Sequence, residues 1–124
     1  MPASRYFTTI GAVSAFIGVG AGAFGAHALR GQISPELLQT WETGARYQVY
    51  HALALIGCAW VTSNTGSPWA ERAGWAFIVG TLLFSGSLYA LGLSAPRALG
   101  AITPFGGLSL LSGWLMLAVA ARPR

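Results

Sequence analysis

Charge is what this sequence has least of. It contains no lysine and no aspartate, and its seven arginines and three glutamates make up 8% of 124 residues, against about 25% in an ordinary soluble domain. So few charges cannot coat a globular core with solvated groups. With 54% of the residues hydrophobic, most of the surface must face lipid, which excludes a soluble domain. The acids are Glu36, Glu42 and Glu71, and all three stand at the edges of apolar runs. No Ser/His/Asp arrangement is present, so a hydrolase is excluded and no catalytic residue is expected. Cysteine clusters and carboxylate triads are missing too, so neither a metal nor a cofactor is expected. The single cysteine, Cys58, can form no internal disulfide, and its place inside an apolar run marks it as a buried structural thiol.

The formal net charge is +4 and the pI about 10.0, a balance that in another setting suggests nucleic acid. Here Arg5, Arg30, Arg72, Arg97 and Arg122 stand singly at the ends of apolar runs. That is the pattern of interface anchors and topology signals, not of a phosphate-binding stripe, and nucleic acid is excluded as a partner.

The apolar residues fall into four runs, about 6–29, 45–62, 73–93 and 98–121. A spanning helix needs about 20 mostly apolar residues. The expectation is a single all-α membrane domain over 1–124, with four transmembrane helices in an antiparallel bundle. The first run resembles a secretory signal, because Arg5 precedes it and Ala26-His27-Ala28 has a small-x-small form. Its 24 uncharged residues from Tyr6 to Leu29 exceed the roughly 7 to 15 of a signal core, which favours a retained helix.

Before the second run, Ser34 can cap a helix, Pro35 suits its first position and Glu36 its positive dipole end. Leu38, Trp41, Ala45 and Val49 then share one side, opposite Gln39, Glu42, Arg46 and Tyr50. This predicts a short amphipathic interfacial segment that runs directly, or through a bend at Gly44, into the second span. "TSNTGSPW" (62–69) has turn chemistry, "LSAPRAL" (93–99) is a tight connection, and Pro104 predicts a bend or a delayed start of the last helix. Arg5, Arg72, Arg122 and Arg124 lie on one side, and Arg30, Arg46 and Arg97 on the other. By one residue, this places both termini in the cytoplasm.

In the first span Ser14, Gly18, Gly22 and Ala26 recur every four residues. They predict a small-residue groove for close helix packing, either within the bundle or against a second copy. Thr81, Ser85 and Tyr89 in the third span, and Ser109, Ser112 and Gly113 in the fourth, read as structure.

The polar residues concentrate in "WETGARYQVYHALAL" (41–55). Glu42 and Arg46 are one turn apart in the acid-first order that favours an intrahelical pair, with Tyr50 continuing that face. Tyr47 and His51 form a neighbouring stripe. Ionisable groups inside a membrane are rare and usually face the bundle interior, which singles out His51 and Arg46. His27 ends the first span at a depth similar to that of His51, so the two imidazoles could ligate a haem or metal, relay protons, or hydrogen-bond across helices. The cluster His27, Glu42, Arg46, Tyr47, Tyr50 and His51 is the candidate site. His27 is expected to tie the first two helices together.

Four blocks, "GAFGAHAL" (22–29), "ARYQVYHALAL" (45–55), "FSGSLYAL" (84–91) and "GAITPFGGL" (100–108), carry a resemblance along nearly the whole chain. In them the sequence resembles the YgdD-like family of small inner-membrane proteins and is similar to the eukaryotic transmembrane protein 256 group. The resemblance implies a multi-pass bacterial inner-membrane protein of unknown function, and brings no activity or site with it. The expected role is a non-enzymatic accessory or assembly factor, in contact with the bilayer and with a second copy or another membrane protein. A small oligomeric transporter or proton-coupled carrier using the His/Arg/Tyr cluster is the alternative.

Overall fold

A computed structural model describes residues 2–123. Helix α1 covers Ala3–Phe24 and continues into a wider π-helical turn, Gly25–Leu29, closed by the Arg30 N–H donating to the Gly25 carbonyl five residues back at 3.1 Å. Helix α2 covers Pro35–Thr65 and α3 covers Pro68–Gly92. A 3₁₀ stretch, Arg97–Ala101, leads into α4, Thr103–Ala120. Among the described residues there is no sheet; an isolated bridge joins Arg30 to Ile33.

The helix boundaries follow local chemistry. The Ser34 hydroxyl accepts from the Leu37 N–H at 3.2 Å, with Pro35 and Glu36 in the first turn of α2. That helix ends at Gly66, whose φ of 64° no β-carbon favours. One residue later Ser67 caps α3 from its hydroxyl, with Pro68 and Glu71 behind it. Pro104 stands in the first turn of α4, where its missing N–H costs nothing, and the 3₁₀ stretch before it is the delayed start.

Three stretches are long and apolar enough to cross a membrane: Ala3–Leu29, Pro68–Gly92 and Arg97–Ala120. Helix α2 is the longest, at 31 residues, but Glu36, Glu42, Arg46, Gln48 and His51 lower its apolarity. It runs unbroken through Gly44, so the amphipathic segment and the second apolar run are one helix.

Helix α1 packs on α2, α2 on α3 and α3 on α4, while α4 touches α2 more lightly. The core holds Phe7, Ala54, Leu55, Cys58, Ala59, Ala73, Phe77 and Leu110. The Cys58 side chain is fully buried within it. A β-carbon at Gly74 would collide with the Phe7 ring, and one at Gly106 with the Phe84 backbone, so these glycines set how closely the helices approach.

The packing face of α1 is not the one that a four-residue spacing predicts. Gly11 lies against the Ala52 carbonyl, Gly18 against Val49 and Gln48, and Gly25 against Trp41. A β-carbon at Gly22 would reach only the rim of the contact, 4.0 Å from the Ala45 side chain, and Ala26 is exposed. At 3.6 residues per turn a step of four overshoots by about 40°, so Ser14, Gly18, Gly22 and Ala26 wind off the face. Alternating steps of three and four (Gly11, Ser14, Gly18, Ala21, Gly25) stay on it.

Candidate functional site

Two polar relays cross the interior. The first is centred on Gln48, buried to 7% exposure. Its side-chain NH₂ donates to the Ser14 carbonyl at 3.1 Å and lies 3.3 Å from the Ser14 hydroxyl, while its oxygen accepts the Tyr89 hydroxyl. One amide thereby joins α1, α2 and α3. A buried amide left without partners would cost about 1–3 kcal/mol; here both its ends are engaged.

The second relay is centred on His51, buried to 6% exposure. Its Nδ1 lies 2.7 Å from the Tyr47 carbonyl, and the Trp114 indole N–H donates to its Nε2 at 3.1 Å. A carbonyl can only accept and an indole can only donate. The pair of contacts therefore fixes the neutral imidazole with its proton on Nδ1. The ring also meets Tyr47 face to face (6.1 Å, 16°) and packs edge-on to Trp114 (5.8 Å, 62°).

Further bonds complete the ties between neighbours. The Trp41 indole donates to the Ala21 carbonyl at 2.8 Å, the Ser85 hydroxyl to the Gly44 carbonyl at 2.7 Å, and the Ser109 hydroxyl to the Ala76 carbonyl at 2.8 Å. Ser87 pairs with Thr103. Each helix is held to the next through side-chain hydrogen bonds.

The expected cluster is not assembled as one unit. His27 lies in the exposed part of the π-helical turn with no hydrogen bond, so it does not tie α1 to α2. Trp41 makes that tie, 14 residues further along the chain, because the Gly25 backbone leaves space for its indole. The acid-first pair is not formed either: Glu42 meets Arg30 at 3.4 Å, across the α1–α2 turn, and Arg46 is exposed. Arg30 approaches Glu42 from the connection, while Arg46 lines a cleft with Glu42 without forming an ion pair to it. Tyr47 and Tyr50 stand half-exposed beside His51, their rings 5.5 Å apart. Of the six residues the structure groups Tyr47, Tyr50 and His51, and leaves His27, Glu42 and Arg46 at the periphery.

Two grooves flank this centre. One, of about 340 Å³, runs between α1 and α3 over α2, and Thr9, Ser14, Gln48, His51 and Thr81 interrupt its otherwise apolar wall. The other, of about 640 Å³, lies between α2 and α4 and is lined by Tyr47, Tyr50, His51, Phe84 and Trp114. His51 contributes to both. Among the described residues no three His, Cys, Asp or Glu side chains come together as a metal site.

Sequence reasoning missed Gln48, Trp41 and Trp114 as partners, whereas the Ser85 and Tyr89 hydroxyls reach the neighbouring helix in the structural role expected of them. For Gln48 a signal exists: an amide inside an apolar run must find both a donor and an acceptor. For Trp114, 63 residues from His51, only the fold makes the pairing.

The profile of the family described as "Protein of unknown function (DUF423)" matches residues 21–107. The UPF0382 membrane protein YwdK of Bacillus subtilis (strain 168) is 45% identical over 118 residues, covering 94% of this chain and 96% of that protein. The UPF0382 membrane protein SH2409 of Staphylococcus haemolyticus (strain JCSC1435) is 47% identical over 116 residues, with 94% of each covered. The UPF0382 membrane protein SAB0533 of Staphylococcus aureus (strain bovine RF122 / ET3-1) shows the same identity and coverage. No solved structure matches.

Proposed function

Since the chain belongs to the UPF0382 (DUF423) family of membrane proteins of unknown function, we propose that it is a non-enzymatic accessory or assembly factor of the bacterial inner membrane. In this reading all four helices span the bilayer as one antiparallel domain with both termini in the cytoplasm. The YgdD-like proteins and the transmembrane protein 256 group are its wider relatives. Its partners are lipid and either a second copy or another membrane protein.

One observation carries the proposal: two sets of interior polar groups bond to one another across helices, although the buried Thr62 hydroxyl stands outside them without a partner among the described residues. Tyr89, Gln48 and Ser14 form one closed relay, and Trp114, His51 and the Tyr47 carbonyl another. Groups so engaged hold helices in register. The same pairing supports α2 as a fourth span. A helix between two neighbours tolerates polar side chains at membrane depth when each has a partner. The outward surface, with Phe16, Leu82 and Leu115 at 81%, 70% and 71% exposure, suits lipid and partner helices.

A gentle-detergent pull-down of the tagged full chain, with mass spectrometry and the native mass of the complex, tests this reading. A reproducible membrane-protein partner is the expected result. Self-association alone counts against an accessory role. The carrier reading draws on a different observation, that His51 contributes to grooves on two sides of α2. Substrate or proton flux in proteoliposomes with wild type but not with His51→Ala would replace the accessory reading by that one.

A further inference from the structure

At the end of the molecule that carries the α2–α3 turn stand three described arginines, Arg5, Arg72 and Arg122. Two have partners in the chain. The Arg72 guanidinium lies over the Trp69 ring at 4.8 Å, and Arg122 donates to the Val119 carbonyl at 2.7 Å, at the end of α4. Among the described residues the Arg5 side chain makes no ion pair, hydrogen bond or ring contact of this kind, and its backbone N–H donates to the Pro2 carbonyl at 3.0 Å. It also stands in the first turn of α1, which holds no acidic residue. A cation there is at the unfavourable end of the helix dipole.

Arg5 opens onto a groove of about 640 Å³ between α1 and α2, where Ser4, Thr9 and Ser63 supply hydroxyls and Trp60 a broad exposed ring, while the Thr8 hydroxyl donates to the Ser4 carbonyl at 2.8 Å. Among the described residues no carboxylate lines it. The cleft beside Arg46 at the opposite end differs in this respect, since Glu42 shares it. From Ser63 down to Ile56 the groove follows about 10 Å of helix at 1.5 Å per residue. It therefore passes from hydroxyls to apolar wall, with an indole at the boundary, where interfacial tryptophan is favoured.

We propose that this groove binds one anionic glycerophospholipid, with the phosphodiester against the Arg5 guanidinium and the Ser4, Thr9 and Ser63 hydroxyls, and one acyl chain along Ile56 and Trp60. Charge complementarity selects the headgroup: a cation among hydroxyls, with no acid in the groove among the described residues, matches a phosphate that carries a net negative charge better than a zwitterion. The apolar continuation selects a lipid over a soluble phosphate ester.

Native mass spectrometry of the full chain in dodecyl maltoside, given equal amounts of phosphatidylglycerol and phosphatidylcholine of the same acyl chains, tests the proposal. The wild type retains one phosphatidylglycerol in preference by about fivefold or more, the effect of one basic residue at a membrane surface. Arg5→Gln removes the preference, while Arg5→Lys and Arg46→Gln keep it. Ser63→Trp, which fills the mouth of the groove from an exposed position and leaves Arg5 in place, lowers retention. Equal retention of the two lipids by wild type, or an undiminished preference in Arg5→Gln, overturns the proposal. Displacement of the bound lipid by excess glycerol phosphate overturns the choice of a lipid; resistance to it supports that choice.

Discussion

At the scale of single residues, an intramembrane polar group is informative only when its partners are known. His51 and His27 have the same chemistry and opposite environments, one locked between a carbonyl and an indole, the other exposed and unbonded. The structure predicts that ¹⁵N NMR of the His51 ring reports a proton on Nδ1 and a bare, accepting Nε2. The opposite tautomer would show that Trp114 is not its donor. His27→Ala is expected to leave stability within about 0.5 kcal/mol, as for surface substitutions generally, when measured by unfolding in mixed micelles. The sequence marked His51 through its isolation in an apolar run and could not separate it from His27. That distinction depends on which way a π-helical turn faces, and "GAFGAHAL" carries no local signal for such a turn.

At the scale of helices, backbone proximity matters more than residue size alone. Gly11→Ala places a β-carbon 2.8 Å from the Ala52 carbonyl, a backbone atom that cannot give way. Overpacking of this kind costs about 1–3 kcal/mol. Gly22→Ala meets nothing closer than 4.0 Å and adds a better helix former, so its effect is neutral or slightly stabilising. Thermal melts of the two variants in one detergent distinguish the observed face from the four-residue stripe, which predicts that Gly22 is the sensitive one. The ends of the helices were legible, because Ser34, Ser67, Pro35, Pro68, Gly66 and Pro104 act through local chemistry. The rotation of α1 was less so, since a periodicity of four and an alternation of three and four share Ser14 and Gly18 and diverge only further along.

At the scale of the molecule, composition alone announced a membrane protein and the four apolar runs announced four helices. The interior that joins them was not legible, because Tyr89 and Gln48 are 41 residues apart and Trp114 and His51 are 63. The arginines at the two ends are nearly balanced, with Arg124 outside the described residues, so topology rests on a small bias. A reporter fused to the C-terminus should be active on the cytoplasmic side; activity of an exported reporter there would reverse the assignment. The central claim is that the buried polar relays hold the helices together. Its most direct test is the equilibrium unfolding free energy of Gln48→Met in mixed micelles, since methionine keeps the volume and removes the bonds to Ser14 and Tyr89. Interhelical bonds in membranes average about 0.6 kcal/mol and reach about 1.7, so a loss of about 1–2 kcal/mol is predicted. An unchanged or increased stability would contradict the account.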